Sequence, residues 1–98
     1  MERLSEEQIT KELANLPDWK RLDEKWIERK YRFKDFLNGV RFVDQIAEYA
    51  EQKQHHPFIS IDYKVVTVKI SSWQMKGLTD LDFEMVNQFD KLYDEADK

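Results

Sequence analysis

The chain has 98 residues, 41% of them apolar and 13% aromatic, with a net charge of −4 and no cysteine. That length holds one domain, and the missing cysteine excludes disulfide scaffolds, thiolate metal sites and cysteine nucleophiles. A pI of about 5.2 gives no electrostatic footprint for nucleic-acid phosphates. No apolar run approaches the ~18 residues of a membrane span, so neither nucleic acid nor membrane is an expected partner. The amphipathic start MERLSEEQITKEL has no apolar signal-peptide core, and a cytoplasmic location is expected.

Ser5 and Gln8 have the spacing of a capping box, with Leu4 and Ile9 placed as a hydrophobic staple. Ile9, Leu13 and Leu16 continue a helical stripe that Pro17 ends. Trp19–Leu22 and Trp26–Phe33 read as strands around a polar Asp23-Glu24-Lys25 loop. Asp35 is the expected N-cap of the longest helix, which runs to about Lys53. Its expected core face carries Phe36, Val40, Val43, Ile46, Ala47 and Ala50. Phe42 and Tyr49 lie roughly 120–140° from the centre of that face. They read either as semi-exposed aromatics flanking the core or as a second apolar seam for self-association.

Phe58–Tyr63 alternates, with Ile59, Ile61 and Tyr63 on one side, and Val65–Ser72 is β-branched through its first half. Gly77 permits a turn, Thr79 caps a last helix with Asp82 at N3, and Leu81, Met85, Phe89 and Leu92 follow at helical spacing. The order α-β-β-α-β-β-α predicts one α+β domain over residues 1–98, a four-stranded antiparallel sheet with helices packed on one face.

His55 and His56 are the two histidines, adjacent and followed by Pro57. One reading makes them a helix C-terminal cation beside a surface residue; another uses imidazole for proton transfer near neutral pH. No nearby His or Cys completes a metal-ligand set, so no metal is expected. A tight hairpin turning near residue 64 pairs residues that sum to about 128, placing His55 opposite Trp73 and His56 opposite Ser72. Trp73 then stands as an aromatic wall beside two imidazoles, or as core packing. Asp82 reads locally as a capping carboxylate and Glu51 as a helix-surface carboxylate four residues before His55.

The run Glu51-x3-His55-His56-Pro57-x5-Tyr63-x9-Trp73-x8-Asp82 resembles the signature of the pterin-4a-carbinolamine dehydratases. The likeness extends over essentially the whole chain, from the N-terminal amphipathic helix to the Gly-Leu-Thr entry of the last helix. It implies a hydro-lyase that removes water from 4a-hydroxytetrahydropterin, the carbinolamine left by an aromatic amino acid hydroxylase, to give quinonoid dihydropterin for tetrahydropterin recycling. Such an elimination needs a proton on the departing hydroxyl and loss of the N5 proton, with no cofactor. The resemblance makes His55 and His56 the acid–base and substrate-binding pair and Asp82 an orienting carboxylate, with Glu51 and Tyr63 in support. Many members carry a third histidine where this chain has Trp73. Indole cannot shuttle a proton, so the expectation is the loss of one acid–base route, with Trp73 walling the pocket by stacking. A homo-dimer or homo-tetramer is expected. Two rival readings are a non-catalytic interaction protein using Phe42 and Tyr49, and an enzyme on a related pterin such as a molybdopterin-pathway intermediate.

Overall fold

The computed structural model describes residues 2–98 and contains the seven expected elements in the expected order. Helix α1 spans Glu6–Ala14, β1 Lys20–Arg21, β2 Ile27–Arg32, α2 Phe36–Lys53, β3 Phe58–Asp62, β4 Val65–Ile70 and α3 Asp80–Glu95. The capping predictions hold at atomic level. Ser5 and Gln8 form a reciprocal capping box on α1, and the Asp35 side chain accepts from Leu37 N–H at the start of α2. Asp23 accepts from the N–H groups of Lys25 and Trp26, closing the β1–β2 loop.

The sheet order is β1-β2-β4-β3, all antiparallel, so two hairpins join through the β2–β4 pair. Cross-strand partners share a face. Ile27 pairs with Ile70, Tyr31 with Val66 and Ile59 with Val68, which builds the apolar face. Ile9, Phe42, Ile46, Ala50, Val86 and Phe89 of the three helices complete one core with it. No described helix is long and apolar enough to cross a membrane.

Two expectations about packing are corrected. The buried face of α2 carries Gly39, Phe42, Ile46 and Ala50, whereas Phe36 and Ala47 are exposed. Phe42 is 1% exposed, touching the rings of Tyr31, Phe33 and Tyr93, and half-buried Tyr49 packs edge-on against Phe89. Neither forms a free seam for self-association. The cause is Gly39, which adds nothing to an apolar stripe yet lies where α2 packs tightly on Phe33 and Val66. A Cβ there would lie 3.3 Å from Phe33 and 3.4 Å from Val66, and the stripe rotates to centre on it. The second correction is the hairpin register. Partners in β3 and β4 sum to 127, as in Ile59 with Val68, because the turn is the two residues Tyr63-Lys64 with Tyr63 at φ 54°.

Arg29 carries a mostly buried charge on the core face of the sheet. Arg29 donates to Asp90 Oδ1 of α3 at 2.8 Å, and the same carboxylate accepts from Tyr31 Oη at 2.6 Å and Trp19 Nε1 at 3.1 Å. Burial, then the Asp90 charge, pushes the Tyr31 phenol far above its usual pKa, which keeps it a donor. This knot ties β2 and the β1 approach to α3. Asp90→Ala leaves the Arg29 charge without its main partner, Asp18 remaining at 3.5 Å. Urea denaturation should show a loss of about 3 kcal/mol with an unchanged m-value, the low end of the range for a broken buried pair. A loss within about 0.5 kcal/mol contradicts the assignment.

Candidate functional site

Both histidines owe their positions to the way α2 stops. Gln54 takes the left-handed conformation, φ 52°, and the backbone N–H of His55 donates to the carbonyl of Ala50 at 3.2 Å. This is the closure that usually uses glycine, and here it throws the chain sharply out of the helix at His55. Pro57 then leads into β3. Glu51, one turn back on α2, faces His56, and its Oε1 lies 2.7 Å from His56 Nε2. That hydrogen bond, and then the imidazole charge, holds the Glu51 carboxyl below its ordinary pKa.

His55 turns inward instead. Its Nε2 lies 2.7 Å from Oδ1 of Asp82, a residue with no exposed surface. Asp82 Oδ2 accepts from Ser72 Oγ at 2.7 Å and from the backbone N–H of Thr79 at 2.8 Å. The hydroxyls of Ser72 and Thr79 lie 2.9 Å apart, both buried. Asp82 therefore does cap α3, as its N3 position predicts, and spends its other oxygen on His55. With Oδ1 an acceptor, the network assigns a proton to His55 Nε2 and, in the neutral ring, a lone pair to Nδ1.

Ser72 reaches this cluster because of the corrected register. With partners summing to 127, the continuation of the hairpin sets His55 opposite Ser72, and the two side chains come within 3.5 Å. Beyond Ser72 the chain makes a 3₁₀ turn over Trp73–Met75, closed by Lys76 at φ 56° and a bridge from Ser72 to Gly77. Gly77 lets the N-terminal segment cross close by; a Cβ there would lie 2.4 Å from Arg3 Cδ. Leu4 N–H donates to the Leu78 carbonyl at 2.8 Å, pinning the entry of α3. Two of the three non-glycine residues with positive φ among the described residues, Gln54 and Lys76, thus flank the same place. Backbone strain of this sort concentrates where a surrounding structure holds a site in shape.

These segments enclose a cleft of about 470 Å³, lined by His55 and His56, Lys53 and Gln54 of the α2 end, Ser72, Trp73 and the following turn, and Leu81. Its size suits a small heterocycle. The structure brings His55, His56, Glu51, Asp82 and Trp73 together, Trp73 as a wall 57% exposed. It does not bring Tyr63, which sits 68% exposed at the far end of the β3–β4 hairpin with its ring centroid 6.4 Å from that of Phe36. The five residues of β3 separate it from the histidines. Sequence reasoning gives Thr79 only a capping role and sets Ser72 only opposite His56, so it misses both as members of the site. The available signal is a Ser pair closing a β-branched strand, but only the correct register gives it a partner.

Comparison with known proteins identifies the family and the fold. The family model described as pterin 4 alpha carbinolamine dehydratase matches residues 2–92. A Picosynechococcus protein, provisionally named a pterin-4-alpha-carbinolamine dehydratase, is 39% identical over 92% of this chain and 97% of its own length. The crystal structure titled transcriptional coactivator/pterin dehydratase from Brucella melitensis superposes with a TM-score of 0.87 at 33% identity, covering 93% of this chain and 98% of that one. A pterin dehydratase-like protein identified as a RuBisCO assembly factor of the alpha-carboxysome has the same fold, with a TM-score of 0.67 at 15% identity over 78% of this chain and 89% of its own. The chain belongs to the pterin-4a-carbinolamine dehydratase family.

Proposed function

We propose that the cleft dehydrates 4a-hydroxytetrahydropterin to quinonoid dihydropterin, with His55 and His56 as its acid–base pair, and that the reaction serves tetrahydropterin recycling after an aromatic amino acid hydroxylase. The observation that carries this reading is the pairing of two neighbouring imidazoles with two different carboxylates at one cleft. Asp82 is wholly buried, whereas Glu51 is open to solvent. Dehydration moves one proton onto the leaving 4a hydroxyl and takes one from N5. Imidazoles serve both transfers near neutral pH. His55, fixed by Asp82, keeps one tautomer through the cycle; His56, on the open side, exchanges its proton with water. Trp73 supplies a flat wall for the pterin ring and no proton.

His56→Ala should lower the acceleration of dehydration over the spontaneous rate by about 10²-fold, the usual scale of general acid–base help. Stopped-flow mixing with freshly generated 4a-hydroxytetrahydropterin measures it. In the same variant the Glu51 carboxyl, followed by carbon NMR, should titrate at higher pH because its hydrogen-bonded cation is gone. A wild-type rate contradicts the catalytic role, and an unmoved Glu51 midpoint contradicts the pairing.

The expected homo-dimer or homo-tetramer needs a different surface from Phe42 and Tyr49. Phe36, Leu37 and Tyr63 are 42%, 53% and 68% exposed where α2 begins beside the β3–β4 turn, and β3 is an open sheet edge. We place self-association there. Light scattering should give a multiple of 11.9 kDa for the wild type and a smaller species for Phe36→Asp with Tyr63→Asp. A single-copy mass for the wild type contradicts the assembly, and an unchanged multiple in the variant contradicts the surface.

A further inference from the structure

On the sheet face turned away from the helices, at the end beside the cleft, three aromatic rings cluster. The Trp26 and Phe58 centroids are 4.9 Å apart, Phe58 and Trp73 5.2 Å, and Trp26 and Trp73 6.4 Å. The face follows from register: Phe58 pairs with Lys69 and Lys69 with Glu28, while the alternate residues Ile59, Val68 and Ile27 point into the core. Phe58 and Trp73 keep 44% and 57% of their surface in solvent. The Lys69 ammonium stands 5.4 Å from the Trp26 ring centroid and 5.5 Å from that of Phe58. Its cross-strand neighbour Glu28 is 3.7 Å from Lys30, and among the described residues Lys69 has no carboxylate partner within ion-pair distance.

Partly exposed rings around an ammonium suit a ligand that is flat at one point and anionic at the next. Trp73 belongs both to this cluster and to the cleft wall, so a substituent leaving the cleft over Trp73 runs onto Phe58, Trp26 and Lys69. We propose that the preferred substrate is a pterin whose side chain carries an aromatic ring and a carboxylate, the chemistry of the folates. The ring stacks in the cluster and the carboxylate pairs with Lys69. The proposal rests on the reading of the cleft as a pterin site and names the class of pterin.

Isothermal titration calorimetry with two stable oxidised probes, folic acid and biopterin, tests it on the wild type, Trp26→Ala and Lys69→Gln. The wild type should bind folic acid about tenfold more tightly than biopterin, equivalent to about 1.4 kcal/mol. The preference should shrink with added salt, which screens the Lys69 charge. Both variants should lose the preference and keep the biopterin affinity. Equal affinities in the wild type overturn the proposal and leave the pterin reading standing; binding of neither probe removes both. A preference that survives in both folded variants also overturns it. Should a variant fail to fold, the wild-type salt series decides, a salt-independent preference counting against Lys69. A fall in the light-scattering mass of Trp26→Ala with the preference intact reassigns the cluster to self-association.

Discussion

Burying a carboxylate is unfavourable by several kcal/mol unless protein donors replace the water it loses, and Asp82 is completely buried. Its donors come from three separate segments: the N–H of Thr79 at the head of α3, the hydroxyl of Ser72 at the end of β4, and the imidazole of His55 just past α2. Satisfying one side chain therefore fixes the mutual position of two helices and a strand. The same requirement orients His55. A group whose first duty in the sequence is to cap a helix becomes the anchor of the site, because a carboxylate has two oxygens and the cap uses only one.

The two histidines are neighbours in sequence and opposites in environment. His55 is held against a partner that water does not reach, whereas His56 and Glu51 sit 56% and 72% exposed by side chain. An elimination that protonates one atom and deprotonates another gains from such a division, one imidazole held in place and the other in contact with the proton reservoir. The opposite end of α3 performs a purely structural task with the same chemistry. Asp90 gathers Trp19, Arg29 and Tyr31 and locks the helix to the sheet, so α3 is fixed at both ends by acidic side chains.

Much of this architecture is legible in the amino-acid sequence, for physical reasons that differ by element. Caps are local: Ser5 with Gln8, and Asp35, announce helix starts because their hydrogen bonds span two or three residues. The β-branched run at Val65 names a strand. The face of α2 is misjudged because apolar counting is blind to Gly39, whose value lies in the side chain it lacks. The expected register falls one residue off because Tyr63, an aromatic at positive φ, carries no turn signal. That single step hides Ser72 from His55. The Asp90 knot is illegible for another reason: its partners lie 59 to 71 residues away, and nothing local marks a charged residue as inward-facing. The spaced motif does bring Glu51, His55, His56, Trp73 and Asp82 together, and Tyr63 is the candidate that stands apart.

If Asp82 orients His55 for proton transfer, Asp82→Asn disables the site without unfolding it. Asparagine keeps an oxygen for Thr79 and Ser72 but presents an N–H to His55, which reverses the hydrogen bond and moves the neutral ring's proton to Nδ1. The decisive quantity is the dehydration rate of this variant over the spontaneous reaction, with circular dichroism confirming the fold. A native spectrum is expected, with an acceleration lowered by about 10²-fold or more. A native spectrum with the wild-type rate would contradict that role of Asp82.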